Sequence, residues 1–169
     1  LIGDPALPLV YPENSISTDS INGINIAEFD QPLTAMSTNT INGSIRNRQG
    51  LVINDFNGMV NITILDKPIS TKTRGNEGTP FTYSNYQNII FKGSVTVTNG
   101  RFKAEFIVPK DIQYNIGAGR ISYYALDQAN GTEAIGANNQ ILIGGISNNP
   151  VNDTTGPRVK LWLNNQSFR

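Results

Sequence analysis

Apolar and polar residues alternate one by one along much of this sequence, and no segment shows the three-to-four-residue spacing of an amphipathic helix. The clearest example is residues 59–66, which read Met-Val-Asn-Ile-Thr-Ile-Leu-Asp. Successive side chains of a β-strand point to opposite faces of its sheet, so such a segment has one apolar face to bury. The alternation therefore predicts an all-β domain built around an apolar core.

Several segments show this alternation, and turn signals such as Asn57-Gly58 and Asn130-Gly131 separate them. Asn99-Gly100 joins two of the segments, and this dipeptide tolerates the positive φ angles of a two-residue hairpin turn. The pattern favours an immunoglobulin-like antiparallel β-sandwich of about seven to nine strands. The predicted strands are residues 24–29, 40–45, 59–66, 89–98, 101–108, 120–126 and 137–143.

Turn residues also divide the chain into segments. Residues 1–146 are predicted to form the sandwich, and the polar residues 147–157 are predicted to form a linker. In residues 158–169, Val159, Leu161 and Leu163 alternate with Lys160 and Trp162. This last segment is either the first strand of a following domain or an extra edge strand. Because the sequence begins with Leu1 rather than Met, we expect it to be one domain of a longer protein.

The sequence contains neither Cys nor His. This composition excludes a cysteine nucleophile, a Ser-His pair and a metal site with thiolate or imidazole ligands. Lys plus Arg number 13, as do Asp plus Glu, so the chain has no basic field to attract phosphate backbones. No apolar run is long enough to cross a bilayer. We therefore expect a non-catalytic module without cofactor, nucleic-acid partner or membrane insertion.

Residues 67–88 lack the alternation and are mostly polar. A loop of that length in a compact domain is usually functional or mobile. It contains Phe81, Tyr83 and Tyr86, which are predicted to bind a sugar or a protein partner, or else to cover a sheet edge. Trp162 is a further candidate for sugar binding, with packing at a domain joint as the alternative.

Two sets of oxygen ligands suggest other chemistry. Asp127, Asn130 and Glu133 could hold calcium, but an Asp-x-x-Asn-Gly pattern is common in turns, so no metal site is predicted. A pair of carboxylates could hydrolyse glycosides, but nothing in the sequence fixes the separation that this reaction needs. The acidic residues considered for such a pair are Glu28, Asp30, Asp55 and Asp66.

The first residues resemble a known junction between domains. Residues 1–9 read Leu-Ile-Gly-Asp-Pro-Ala-Leu-Pro-Leu, which resembles the segment that closes the caspase-like catalytic domain of gingipain-like (family C25) peptidases. Residues 50–52 (Gly-Leu-Val), 55–58 (Asp-Phe-Asn-Gly), 99–102 (Asn-Gly-Arg-Phe) and 153–157 (Asp-Thr-Thr-Gly-Pro) resemble one branch of that family. This branch is the PorU-type sortases of the type IX secretion system, and the resemblance covers most of the chain.

The resemblance implies an immunoglobulin-like domain that follows the catalytic domain of a C25-type cysteine peptidase. Such sortases lie on the outer-membrane surface of Bacteroidetes, where they process secreted cargo and attach it to lipopolysaccharide. Their catalytic Cys and His have no counterpart here. The implied role is therefore support of the adjacent catalytic domain and contact with other secretion components. A carbohydrate-binding or adhesive module, with surface polysaccharide as ligand, is the alternative.

Overall fold

The computed structural model of the protein describes residues 11–76 and 78–151, which form strands joined by turns. None of these residues forms a helix long and apolar enough to cross a membrane. The strands of the described residues are β1 (Asn14–Ile21), β2 (Ile24–Asn25), β3 (Leu33–Ala35), β4 (Thr38–Arg46), β5 (Gly58–Leu65), β6 (Ile69–Lys72), β7 (Thr82–Asn85), β8 (Ile89–Val97), β9 (Arg101–Ile107), β10 (Gly117–Ala118), β11 (Arg120–Asp127), β12 (Thr132–Asn138) and β13 (Leu142–Ile146).

The seven longest strands form one sheet in the order β8-β5-β11-β12-β1-β4-β9, and β2 extends it beside β1. Its neighbours are antiparallel except β1 and β12, which are parallel. The sheet curls on itself, because the rings of Phe91 in β8 and Phe106 in β9 lie 5.2 Å apart although these strands are at opposite ends of the order. The all-β sandwich predicted from the alternation is confirmed.

The core lies inside the curled sheet and takes every second residue from its strands. Val60, Ile62 and Ile64 of β5 are completely buried, and the exposed or half-buried residues lie between them. Burying one such side chain contributes about 1.5–3 kcal/mol. Tyr123 brings a hydroxyl into this core, where it lies 2.7 Å from the hydroxyl of Thr18. Each of these polar groups is therefore satisfied by the other.

The predicted turn at Asn99-Gly100 is present, with φ angles of 50° and 69°. Thr98 and Arg101 exchange backbone hydrogen bonds of 2.9 and 3.0 Å across it. The expected pairing between β8 and β9 stops at this turn, because β8 pairs with β5 and β9 pairs with β4 along their lengths. The Gly100 N–H donates to Phe56 O and its carbonyl accepts from Ile45 N–H, so the turn is bonded to a neighbouring loop and opens the two strands apart.

Two predicted strands were wrong in extent. Only Ile24–Asn25 of residues 24–29 is a strand, because Oδ1 of Asn25 accepts the Ala27 N–H at 2.9 Å and turns the chain. Residues 137–143 span a break between β12 and β13, where Oδ1 of Asn138 accepts the Gln140 N–H at 2.9 Å. In both places an Asn side chain accepts a backbone hydrogen bond and forms a local turn where strand pairing was expected.

The chain enters and leaves the described sandwich at opposite ends. At the basal end, Ser15 of β1 pairs with Arg46, the last residue of β4. At the other end, which we call the arm end, the Val151 N–H donates to Met36 O at 2.8 Å, just before β4 begins. Arg46 is ten residues after Met36, so the two ends are roughly 30 Å apart at about 3.3 Å per residue.

Residues 147–151 lie against the sandwich, while 152–169 lie outside the described residues, so the domain bounds remain predictions.

Candidate functional site

Residues 67–88, predicted as a loop, form an arm that carries its own two-stranded sheet. β6 and β7 pair antiparallel, with Ile69 opposite Asn85 and Thr71 opposite Tyr83. Beyond these strands the Thr73 N–H donates to Phe81 O, and the Phe81 N–H donates to Oγ1 of Thr73, each at 2.9 Å. All four residues of β7 are exposed, so the arm has little packing of its own beyond the ladder.

The aromatic residues of the arm are separated into two groups. Phe81 and Tyr83 are two residues apart next to and within β7, so they share one face of the arm. Their exposed fractions are 67% and 40%. Tyr86 follows the end of β7 and is half-buried. Trp162, the fourth candidate, lies outside the described residues. A two-residue apolar face is thus available on the arm, and its binding role stays a prediction.

A buried ion pair anchors the base of the arm, and we call Asp66 and Lys67 the base clamp. Nζ of Lys67 lies 2.7 Å from Oδ1 of Asp66, and the two side chains are 6% and 0% exposed. The ammonium also donates to Gln113 O at 2.8 Å and to Ile143 O at 3.0 Å. The clamp therefore joins the end of β5, the loop before β10 and strand β13, and it fixes where the arm leaves the sandwich.

The charge of Asp66 is maintained by its hydrogen bonds. Burial alone would raise the pKa of this carboxyl, but the Gln113 N–H, at 3.0 Å from Oδ2, and the Lys67 side chain favour the ionised form. Together with the Lys67 N–H and the positive charge of Lys67, they hold the pKa below its usual value. Asp66 was a sequence candidate for glycoside chemistry, and the structure gives it a structural role.

A cleft of about 330 Å³ lies where the arm returns to the sandwich. One wall is the returning chain, and the other is the segment after β9. Asp66 lies at the cleft, but its carboxylate is held by the base clamp. The only other carboxylate on the lining of this cleft is Asp111. The lining residues are Asp66, Gln87, Asn88, Ile89, Ile90, Pro109, Asp111 and Ile112.

Asp55 does not form a hydrolytic pair with Asp66. Asp55 precedes β5 and Asp66 follows it, so eight residues of strand place them about 25 Å apart. Glycosidases need two carboxyls separated by about 5–9.5 Å. Glu28 and Asp30 are exposed residues after β2. Among residues 11–76 and 78–151, no group of three or more acidic side chains is arranged to hold a metal ion.

Asp127 closes the turn between β11 and β12. Its Oδ1 accepts the Ala129 N–H at 3.0 Å, and its Oδ2 accepts the Asn57 N–H at 3.2 Å and the Asn130 side-chain amide at 3.0 Å. The Asn57 hydrogen bond is the largest cause that lowers the pKa of Asp127, and burial opposes it. The third calcium candidate, Glu133, accepts a hydrogen bond from the Tyr124 hydroxyl. The carboxylate oxygens of Asp127 are thus occupied by protein donors, as its turn interpretation requires.

Exposed apolar side chains are concentrated at the arm end. They lie on the arm, at the start of β8, at the end of β9, in the segment before β10 and at the end of β13. The residues are Phe81, Tyr83, Ile89, Ile107, Tyr114, Ile116 and Ile146. Single exposed apolar residues are ordinary, whereas several at one end of a domain predict a contact surface there. Sequence reasoning found the arm aromatics and missed the others, because only the fold brings these segments to one end.

The fold and this surface define an all-β sandwich module with a projecting arm. No family model matches the chain, and no curated protein sequence does. Among solved structures, it is similar to the crystal structure of dimeric latent PorU from Porphyromonas gingivalis, with a TM-score of 0.73 and 29% sequence identity. The match covers 99% of this chain and 16% of that PorU chain. The PorU-type relationship predicted from the sequence is confirmed, and the chain spans about a sixth of its relative.

Proposed function

We propose that this chain is a non-catalytic module of a PorU-type sortase on the cell surface of a bacterium with type IX secretion. It supports the neighbouring caspase-like catalytic domain and contacts other secretion components during cargo processing. The chain itself supplies no nucleophile for that chemistry, since it contains neither Cys nor His. Its place in the relative, 16% of a longer chain, agrees with a module among other domains.

The observation that carries this proposal is the path of the chain. It runs from the basal end, where Ser15 pairs with Arg46, to the arm end, where Val151 bonds to Met36. Domains attached before and after the sandwich would therefore be held roughly 30 Å apart at about 3.3 Å per residue of strand. A curled sheet without long internal loops, apart from the arm, is a stiff spacer of that length.

The test uses the full-length PorU-type protein that contains this chain, in its own cells. Residues 11–151 are replaced by a Gly/Ser linker or by an unrelated sandwich with ends a similar distance apart. Cargo processing should be lost with the linker, because a flexible chain holds no fixed distance. Partial recovery with the unrelated sandwich would indicate a spacer, and no recovery would indicate specific contacts. Normal processing with the linker would contradict the proposal.

A carbohydrate-binding or adhesive role is the second candidate, and the exposed pair Phe81 and Tyr83 favours it. Aromatic faces on a projecting element are suited to stack on sugar rings or to anchor a partner. The Phe81→Ala/Tyr83→Ala variant should then lose capture of cell-surface polysaccharide by the isolated chain. Tyr11→Ala is the matched control, since Tyr11 is 68% exposed and lies at the basal end. Unchanged capture by the arm variant would remove this candidate.

A further inference from the structure

Five Asn residues of the chain are followed directly by Gly, and we call these pairs the Asn-Gly sites. The Asn residues are Asn22, Asn42, Asn57, Asn99 and Asn130. In such a pair the backbone nitrogen of the Gly can attack Cγ of the Asn side chain, because Gly has no side chain to block the approach. The attack needs a Gly nitrogen that is not engaged in a hydrogen bond, an Asn amide that can rotate and a backbone that can deform. The fold determines which site meets these conditions.

The first two Asn-Gly sites are held in place by strand β4. At Asn22, Oδ1 accepts the Thr40 N–H at 2.8 Å, and Nδ2 donates to Oδ1 of Asn39 at 2.9 Å. Asn42 lies within β4 itself, which pairs with β1 on one side and with β9 on the other. Both sites therefore resist the rotation of side chain and backbone that the attack requires.

The next two Asn-Gly sites hold each other. Oδ1 of Asn57 accepts the Asn99 N–H at 3.0 Å, and Nδ2 of Asn57 donates to Asp55 O at 3.1 Å. At the other site the attacking nitrogen is engaged, because the Gly100 N–H donates to Phe56 O at 2.9 Å. Both reactions would first have to break hydrogen bonds between these two turns.

The fifth Asn-Gly site is the least restrained. Residues 128–131, between β11 and β12, are all exposed. Nδ2 of Asn130 donates to Oδ2 of Asp127 at 3.0 Å, and the Asn130 N–H lies a longer 3.4 Å from Oδ1 of the same carboxylate. Within residues 11–76 and 78–151, the Gly131 N–H has no acceptor. Gly131 has a φ of 64°, and nothing lies within 4 Å of its Cβ position, so the turn has room to deform.

We propose that Asn130 is a site of spontaneous deamidation in the folded protein. The Gly131 nitrogen forms a bond to Cγ of Asn130 and gives its proton to water, while the side-chain nitrogen takes a proton and leaves as ammonia. Water then opens the resulting succinimide ring at either carbonyl, so the products carry aspartate or isoaspartate at position 130. The sequence of steps consumes water, releases ammonia and changes no oxidation state. This inference does not depend on the proposed function.

The modification changes the turn that Asp127 closes. The donating amide becomes a carboxylate, so Oδ2 of Asp127 loses a hydrogen bond and gains a like charge as its neighbour. Isoaspartate also adds a methylene group to the backbone between β11 and β12. The Asn57 and Ala129 N–H groups still bond to Asp127. We therefore expect the turn to loosen while the sandwich stays folded.

The test follows all the Asn-Gly sites in the full chain at neutral pH, by peptide mapping with mass spectrometry and by isoaspartyl methyltransferase labelling. In the folded chain Asn130 should react at least about tenfold faster than Asn42, because a site within the sheet reacts only after local opening. In concentrated urea the rates should become similar, because Gly follows the Asn at every site. Equal rates in the folded chain, no product at Asn130 or a faster reaction at another Asn-Gly site would overturn the proposal.

Two variants test the chemistry and its consequence separately. Gly131→Ala should slow the reaction at Asn130 both in the folded chain and in urea, because a methyl group hinders the attack, and the rate at Asn57 should not change. An unchanged rate at Asn130 would overturn the succinimide route. Asn130→Asp introduces the charge of the product and should accelerate hydrogen exchange at the Ala129 N–H, whereas Asn22→Asp, at another exposed turn, should not. Unchanged exchange in Asn130→Asp would overturn the expected loosening of the turn.

Discussion

Nζ of Lys67 lies 2.7 Å from Oδ1 of Asp66, its neighbour in sequence, with both side chains almost completely buried. Adjacent residues of a strand would point to opposite faces. Here β5 ends at Leu65, so the two side chains can turn towards each other. The pair lies where the arm, β13 and the segment before β10 meet, and this position makes it important for stability.

Removing the ammonium should destabilise the protein strongly. Lys67→Met leaves a buried carboxylate without its cation and two backbone carbonyls, of Gln113 and Ile143, without that donor. Breaking one side of a buried ion pair costs about 3–5 kcal/mol in the free energy of unfolding. Urea unfolding, followed by circular dichroism, measures this loss.

The control is the exposed pair of Arg48 and Glu13, whose side chains are 68% and 70% exposed. Arg48→Met should change the free energy of unfolding by less than about 1 kcal/mol, because solvent screens such pairs. Equal effects of Lys67→Met and Arg48→Met would contradict the structural role of the clamp. In the double variant Asp66→Asn/Lys67→Met, the loss should be smaller than the sum of the single losses.

Acid should weaken the fold through the same carboxylate. Burial raises the pKa of Asp66, but hydrogen bonds from Gln113 and Lys67 lower it more, so the folded pKa lies below the ordinary value of 3.8. Below that value the unfolded chain binds more protons than the folded one, so the free energy of unfolding falls as the pH falls. Urea titrations from pH 6 to pH 2 should show this loss, with a smaller slope in Asp66→Asn. Equal slopes in the two proteins would contradict it.

Alkali should weaken the fold through Tyr123. Burial raises the pKa of its phenol to about 12, while the hydrogen bond with Thr18 acts in the opposite direction. The folded state thus favours the neutral phenol, and its stabilisation is present below pH 10 and is lost as the pH rises towards 12. A shift of two pKa units corresponds to about 3 kcal/mol. The free energy of unfolding should fall less steeply from pH 9 to pH 12 in Tyr123→Phe than in the wild type.

The sequence predicted a strand correctly where no side-chain hydrogen bond within the same segment competed with strand pairing. Residues 59–66 were correctly placed, because strict alternation over a whole strand leaves no local competitor to the ladder. β1 was missed although Ile16 and Ile21 are buried, because most of its other residues are polar and too few apolar residues remain to show an alternation. Asn25 and Asn138 ended strands early through side-chain hydrogen bonds, and no alternation pattern contains that information.

The arm end could be predicted only in part. The aromatics of residues 67–88 were found because a long polar segment with several rings is unusual in a sandwich. The exposed residues Tyr114 and Ile146 were not found, because they are 32 residues apart in the sequence and their segments meet through the hydrogen bond from the Gly145 N–H to Tyr114 O. The base clamp was not found either, because Asp-Lys in a sequence normally indicates two solvated charges.

The turn at Gly100 gives a stability prediction with an internal control. Gly100 has a φ of 69°, and a Cβ at this position would lie 2.3 Å from Ile53 O. Gly131 has a φ of 64°, but nothing lies within 4 Å of its Cβ position. Gly131→Ala should therefore cost only the backbone strain of about 1 kcal/mol. Gly100→Ala adds a clash with backbone and should cost about 3 kcal/mol or more in the free energy of unfolding.

The turn at Gly100 is where β8 and β9 open apart, so this loss should also be seen locally. Hydrogen exchange should accelerate at Thr98 and Arg101, whose backbone bonds close the turn, before it accelerates in β11. Gly131→Ala should leave the exchange of Thr98 and Arg101 unchanged. If the two alanine variants lost the same stability, the turn would not be tied to the Ile53 loop, and the opening of β8 from β9 would need another cause.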